Sequence, residues 1–322
     1  MKRVVLTGGT GFVGANLVHR LVADGHQTHL LVRPGFASWR IASILDRITL
    51  HEVDVFDADG VKAAVGAVEP QWIFHLAAHG AYSWETDGEQ ITRTNIVGTR
   101  NLLAAALDAG VEMVVNAGSS SEYGRQDHAP SETEHGTPDT PYGIAKAAAT
   151  AMCAYVATVH GARVCTLRLY SVYGPYEDPR RFLPSLIVHG WRGMFPPLVS
   201  AATARDFVFV DDVVDAFLLA AQHPPAEPGA IYNVGTGAQT TVGEAVEVAR
   251  RVLRIPGEPQ WGSMQPRVWD TDTWVADPRK IRSQLGWAPC VTFAQGFERM
   301  VAWMDHHPEL RDRYEAAWPR PA

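Results

Sequence analysis

The amino-acid sequence predicts an α/β fold in which a doubly wound parallel sheet is joined to a smaller, irregular C-terminal lobe. Three observations predict it. Short apolar, β-branched runs alternate with helical patterns through the first half. A glycine-spaced loop stands between the first strand and the first helix, and prolines break up the chain beyond Gly174-Pro175.

The strand-like runs fall at residues 4–6, 28–32, 48–53, 72–76 and 111–115. Between them lie helical patterns at residues 15–23, stopped by Asp24-Gly25, and 97–109, stopped by Gly110. Strand and helix repeated at this spacing give a parallel sheet covered on both faces. A long helix over residues 142–159 precedes a further strand at 163–169. It is rich in alanine (Ala145, Ala147, Ala148, Ala149, Ala151, Ala154, Ala157), which suits close packing inside the chain or at the seam of a homodimer. Beyond it, Pro179, Pro184, Pro196-Pro197, Pro224-Pro225 and Pro228 leave only short helical patches such as 213–221 and 242–253. The expected division is a nucleotide-binding domain over residues 1–174, to which 205–240 partly returns, and a mainly substrate-binding lobe over 175–322.

The chain has 322 residues, enough for a large core. Lys and Arg number 28 against 35 Asp and Glu, a formal charge of −7, which argues against a nucleic-acid footprint. No run reaches the roughly 18 uninterrupted apolar residues of a membrane span, and the N-terminal segment is no secretory signal. Three scattered cysteines (Cys153, Cys165, Cys290) are too few for a disulfide framework or a metal site. A cytoplasmic protein without a metal is expected.

In Thr7-Gly8-Gly9-Thr10-Gly11-Phe12-Val13-Gly14 the glycines at 8, 11 and 14 fall three apart. The first permits a tight turn, the second a close approach to a pyrophosphate, and the third tight packing of helix on strand. The helix N-terminus then offers N–H groups to the phosphates, which points to a Rossmann-type dinucleotide site. At the end of the second strand stands Arg33, with Arg40 downstream, where an acidic residue would bind a ribose 2′-OH. Arginines there pair with a 2′-phosphate, so NADP(H) is favoured over NAD(H). Asp54, after the third strand, suits a hydrogen bond from the adenine amino group.

Tyr142 and Lys146 lie four apart at a helix start and share a face. A nearby ammonium and an oxidised nicotinamide both favour the phenolate, so the tyrosine is expected to titrate closer to neutrality than a free phenol. The cluster Ser119-Ser120-Ser121-Glu122 follows the fifth strand, at the carboxyl edge where ligands of open α/β sheets bind. A serine there can turn a substrate hydroxyl or carbonyl toward Tyr142.

Taken together, TGGTGFVG (7–14), DV (54–55), HLAA (75–78), NIVGT (95–99), SSSEYG (119–124), YGIAK (142–146), RLYSVYGP (168–175), RDFVFVDDV (205–213), YNVGTG (232–237) and LGWAP (285–289) resemble one family. It is the extended short-chain dehydrogenases/reductases that act on nucleotide sugars, the epimerase, dehydratase and 4-keto-reductase group. The resemblance implies a catalytic Ser119–Tyr142–Lys146 site. It implies cofactor contacts from Gly8, Gly11, Phe12, Val13, Gly14, Arg33, Arg40, Asp54, Val55, Leu76, Ala77, Ala78, Asn95 and Tyr170, besides Tyr142 and Lys146. It places a nucleoside-diphosphate sugar against His79, Ser119, Ser120, Ser171, Arg205 and Arg267, the arginines clamping the diphosphate. Dehydratases of the group carry an acid pair where this chain has Ser120 and Ser121, and Glu122 comes one place late. Reductases that also epimerise often carry a cysteine where Ser121 stands, and Ser171 replaces a frequent asparagine. The leading expectation is therefore NADPH-dependent reduction of a 4-keto-6-deoxy sugar. A C4 epimerase retaining NAD is the alternative, and a 4,6-dehydratase or a non-catalytic dinucleotide sensor stands further off.

Overall fold

The computed structural model describes residues 1–223, 225–265 and 271–318. Its centre is a seven-stranded, wholly parallel sheet. Six strands are β1 (Arg3–Thr7), β2 (Gln27–Val32), β3 (Thr49–Glu52), β4 (Trp72–His75), β5 (Met113–Ser119) and β6 (Val164–Leu169). The seventh strand is Ile231–Val234, and the order across the sheet is β3, β2, β1, β4, β5, β6 and then Ile231–Val234. The chain winds outward from β1 in one direction and, after β3, from β4 in the other. The crevice between β1 and β4 is therefore the switch point, where open α/β sheets bind ligands.

Alternation along the strands explains why both faces are covered. Val4, Leu6, Phe74, Val115 and Leu167 face one core with Leu17, Leu21, Val213 and Phe217. Val5, Ile73, Val114 and Val164 face the other, with Val61, Val65, Leu102, Leu103, Cys153 and Val156. A third core, separate from the sheet, gathers Leu186, Ile187, Val246, Phe297, Met300 and Tyr314 from the C-terminal half.

The C-terminal half is more helical than its prolines suggest, with helices at Phe182–Gly190, Val242–Leu253, Arg279–Leu285, Phe293–His306 and Pro308–Ala316. Pro184 and Pro308 fall in first turns, where the missing N–H has no helical acceptor to lose, so they start helices instead of ending them. The helix Pro141–His160 is long and apolar enough to cross a membrane by length and composition alone. It packs instead against β5 and β6, burying Lys146, Ala149, Cys153 and Val156.

Candidate active site

The glycine loop joins β1 to the helix Phe12–Ala23. Gly8 has φ +72°, and a Cβ there would lie 2.5 Å from the Ala77 nitrogen, so the loop rests directly on the strand β4 exit. A Cβ on Gly14 would run into the Gly8 carbonyl oxygen. Gly11 is the N-cap and has no side chain to engage the first-turn N–H groups of this twelve-residue helix. The loop is thus a backbone cradle for an anion, and it fits the pyrophosphate of a dinucleotide. Phe12 and Val13 form the first turn of that helix.

The β4 exit, Leu76-Ala77-Ala78, is held by a hydrogen-bonded chain. The Ala77 N–H donates to Thr7 Oγ1 (3.2 Å), which meets His75 Nδ1 (2.7 Å), while His75 Nε2 meets Thr99 Oγ1 (2.9 Å). Thr99 gives its only hydroxyl proton to the Asn95 carbonyl (2.6 Å), so His75 Nε2 donates and Nδ1 accepts from Thr7. Asn95 in turn brackets His79, taking its N–H (2.9 Å) and donating to its carbonyl (2.8 Å). A π-helical turn, Arg93–Val97, carries Asn95. Its Asn95 side chain holds the loop through His79; the sequence assigned it to the cofactor.

Burial pushes His75 down to about 3. The unfolded chain binds this proton and the folded chain does not, so stability falls as pH drops below about 6.5 and the loss is complete near 3. We expect His75 to contribute about 1.4 kcal/mol per pH unit in that window. Urea denaturation at pH 5 and pH 7 should show a smaller acid loss in His75→Gln than in the wild type.

Ser119 ends β5 and caps a single 3-10 turn, Ser120–Glu122. Tyr142 sits in the first turn of the helix Pro141–His160, started by Pro141 and capped by Thr140. Ser119 lies near enough to the Tyr142 phenol to favour its ionised form, and buried Lys146 lies one turn further on. These three residues are brought together as their order implies. The expected tuning is not what the chain's own groups produce. Burial raises Tyr142 to about 12, Glu122 and Glu85 push the same way, and Ser119 pulls it down. Burial lowers Lys146, so the ammonium is itself opposed by its surroundings.

Other expected contacts fall as follows. Asp54 closes the β3 end, accepting the Phe56 N–H (3.3 Å), and Val55 packs under Gly98. Arg33 is exposed just after β2. Arg40 was expected at a ribose phosphate, but its guanidinium is engaged elsewhere. Nε donates to the Tyr176 carbonyl (2.8 Å), Nη1 to the Thr10 carbonyl (3.3 Å), and the group lies 4.2 Å from the Trp39 ring centre. It ties the glycine loop to the segment after Gly174-Pro175. Tyr170 is buried with its hydroxyl unpartnered, and with Ser120 it lines one small pocket. Ser171 pairs with Phe207 in a short two-stranded ladder. Arg205 donates to its neighbour's carbonyl (2.6 Å) and lies over Trp274. Asp206, the obvious ion-pair partner, instead accepts from Thr236, Gly237 and Ala276. Arg267 lies outside the described residues. Among the described residues no group of three His, Cys, Asp or Glu side chains is placed to hold a metal.

Two features gave no sequence signal. Tyr82 and Trp84, on the loop after β4, stack on each other (4.8 Å) and are covered by Arg181 and Arg180, which join that loop to the C-terminal half. Glu122 bonds Arg168, 46 residues away, at 2.8 Å in the interior.

Three comparisons bear on this site. A model of the NAD dependent epimerase/dehydratase family matches residues 4–235. A UDP-glucose 4-epimerase of Mycolicibacterium smegmatis is 33% identical over 318 residues, covering 93% of this chain and 97% of that one. Among solved structures, a UDP-glucose 4-epimerase of Thermotoga maritima with UDP-glucose matches at TM-score 0.86 and 26% identity over 95% of this chain and 99% of that chain. One of Thermus thermophilus in complex with NAD matches at TM-score 0.82 and 28% identity, covering 93% and 98%. A match of this extent over the sheet, the glycine loop and the Ser–Tyr–Lys segment makes the chain an enzyme of the NAD dependent epimerase/dehydratase family, within the extended short-chain dehydrogenases/reductases.

Proposed function

We propose that the chain is a nucleotide-sugar 4-epimerase that works with retained NAD. The observation that carries this reading is the convergence of Ser119, at the end of β5, with Tyr142 and Lys146, one turn apart in the helix Pro141–His160 that packs on β5, at the carboxyl edge of the sheet. The likeness to 4-epimerases over nearly the whole chain supports epimerisation above the keto-reduction that the sequence first suggests. The structure adds a specific argument against dehydration. The carboxylate nearest to Ser120 and Ser121 is Glu122, which is fully buried and held by Ser119 and Arg168, so it has no access to a leaving hydroxyl. With Arg40 engaged by backbone carbonyls, only Arg33 of the expected pair is left for a 2′-phosphate, which supports NAD over NADP(H).

Gly8, Gly11 and Gly14 would hold the pyrophosphate, and Leu76–Ala78 would line the base of the crevice. A dinucleotide held there would supply reversible hydride exchange at C4 of the sugar. Tyr142 removes the proton from the O4 hydroxyl and gives it back in the second half of the reaction. Ser119 orients O4 and steadies the negative charge that develops there. Lys146, kept charged, stabilises the phenolate. Arg205 supports a diphosphate clamp with Arg267.

The division expected from the sequence fits this reading. Residues 1–174 with 205–240 would bind the dinucleotide and the remainder the sugar nucleotide. Three unpaired thiols suit a reducing, cytoplasmic setting. The helix Pro141–His160 leaves Ile144, Tyr155 and Val159 more than half exposed along one side, which supports a homodimer through that face. Sedimentation should give twice the chain mass, and Tyr155→Glu should give the monomer.

The test of function is direct. Protein purified without added cofactor should interconvert UDP-glucose and its C4 epimer, and mass spectrometry of the denatured protein should find NAD. A requirement for added NADPH with net reduction of a keto-sugar would overturn the proposal.

A further inference from the structure

We infer that Glu122, clamped between the Ser119 N–H and Arg168, is a positioning residue that fixes the Ser119 turn and supplies the buried negative charge facing Tyr142 and Lys146. The inference rests on the Ser119–Tyr142–Lys146 reading above and deepens it.

Three observations carry it. Glu122 Oε1 accepts the Ser119 N–H at 2.8 Å, while Ser119 Oγ accepts the Ser121 N–H at 3.1 Å. This reciprocal cap occupies a lone pair of the serine oxygen and leaves its proton free to donate to the Tyr142 oxygen. The β5 backbone is cut away to admit the carboxylate, because a Cβ on Gly118 would lie 2.6 Å from Glu122 Oε1. The ion pair is also poorly explained by stability. Its side chains are 0% and 10% exposed, and Arg168 Nη1 is buried without a partner. Pairs buried in this way contribute little net stability compared with apolar side chains of the same volume.

The ionisable groups around it come from three elements. Arg168 approaches from β6 and lies over the Tyr123 ring at 4.4 Å. Tyr142 and Lys146 face it from the helix Pro141–His160, where Lys146 also feels Cys153. Tyr142 further feels Glu85 and Tyr82 on the loop after β4. Within this set Glu122 holds the phenol up and keeps the ammonium charged against its burial. Both effects place the Tyr142 and Lys146 titrations higher than they would otherwise lie.

The test is the pH profile of kcat/KM for the wild-type holoenzyme and for Glu122→Gln. Glutamine keeps the volume and still accepts the Ser119 N–H, but it removes the charge. Both limbs of the profile should move to lower pH, by roughly one unit. Glu122→Gln/Arg168→Met removes the guanidinium that the single variant would strand, and its profile should move the same way. A profile superimposable on the wild type in a folded variant overturns the inference. Loss of folded protein in both variants, read by circular dichroism, assigns the carboxylate to stability alone and also overturns it. Activity retained in Tyr142→Phe would mean that the underlying site reading has failed. An unmoved profile alongside an inactive Tyr142→Phe refutes the role of Glu122 alone.

Discussion

Tyr142→Phe should lower kcat by about 10³-fold, within the range that a positioned proton-transfer group supplies, while leaving NAD and nucleotide sugar bound. Only the phenolic oxygen is lost. The ring keeps its place in the first helical turn, and Lys146 and the Ser119 turn keep their own supports. The size of the effect is that of losing the group that moves the O4 proton. No water-exposed base replaces a group held in that environment, and positive charge from Lys146 and an oxidised nicotinamide would draw the buried phenol back toward neutrality, where its phenolate can accept a proton. Steady-state kinetics together with the nucleotide content of the purified variant would check this. A fall below about tenfold would remove Tyr142 from the reaction.

Gly14→Ala should abolish retention of the dinucleotide and lower thermal stability. The added Cβ meets the Gly8 carbonyl oxygen, its carbon and the Gly9 Cα, all of them backbone. No side chain can turn aside to make room. The helix Phe12–Ala23 must move away from β1, and its N-terminal N–H groups then no longer converge on the loop. A shift at this point also disturbs the first core, where Leu17 and Leu21 pack with Leu6 and Leu30. We expect about 2 kcal/mol or more of lost stability, typical of backbone strain and overpacking in a core. The checks are the 260 nm absorbance of purified protein and thermal unfolding. Gly66→Ala, inside the helix Ala58–Val68 at a position where a Cβ meets nothing within 4 Å, should leave dinucleotide retention unchanged and thermal stability equal or slightly higher.

Six strands of the sheet were legible because strands buried on both faces leave short apolar runs, and every such run became a strand within a few residues; the strand order and the seventh strand, Ile231–Val234, were not. The glycine loop and the Tyr142–Lys146 spacing were legible for a similar reason, since each is a local pattern whose geometry is set within one turn. What escaped depends on partners distant in sequence. Asn95 is carried on a π-helical turn that no periodicity announces, and it acts on His79. In sequence Glu122 reads as an acid displaced by one place; its partner Arg168 lies 46 residues on. Arg40 was assigned to a phosphate because its charge is visible in the sequence and the Tyr176 and Thr10 carbonyls are not. The upward push on Tyr142 from its surroundings was not legible, because sequence spacing shows the nearby amine and not the depth of burial. In the C-terminal half the prolines suggest breaks, whereas Pro184 and Pro308 stand where a helix tolerates them.

The most direct measurement uses UDP-glucose deuterated at C4, incubated with the enzyme as purified, with no added dinucleotide, and followed by NMR. The account predicts the C4 epimer with deuterium still at C4, because the same hydrogen leaves and returns. Deuterium lost to solvent, or a 4-keto-6-deoxy product, would contradict it.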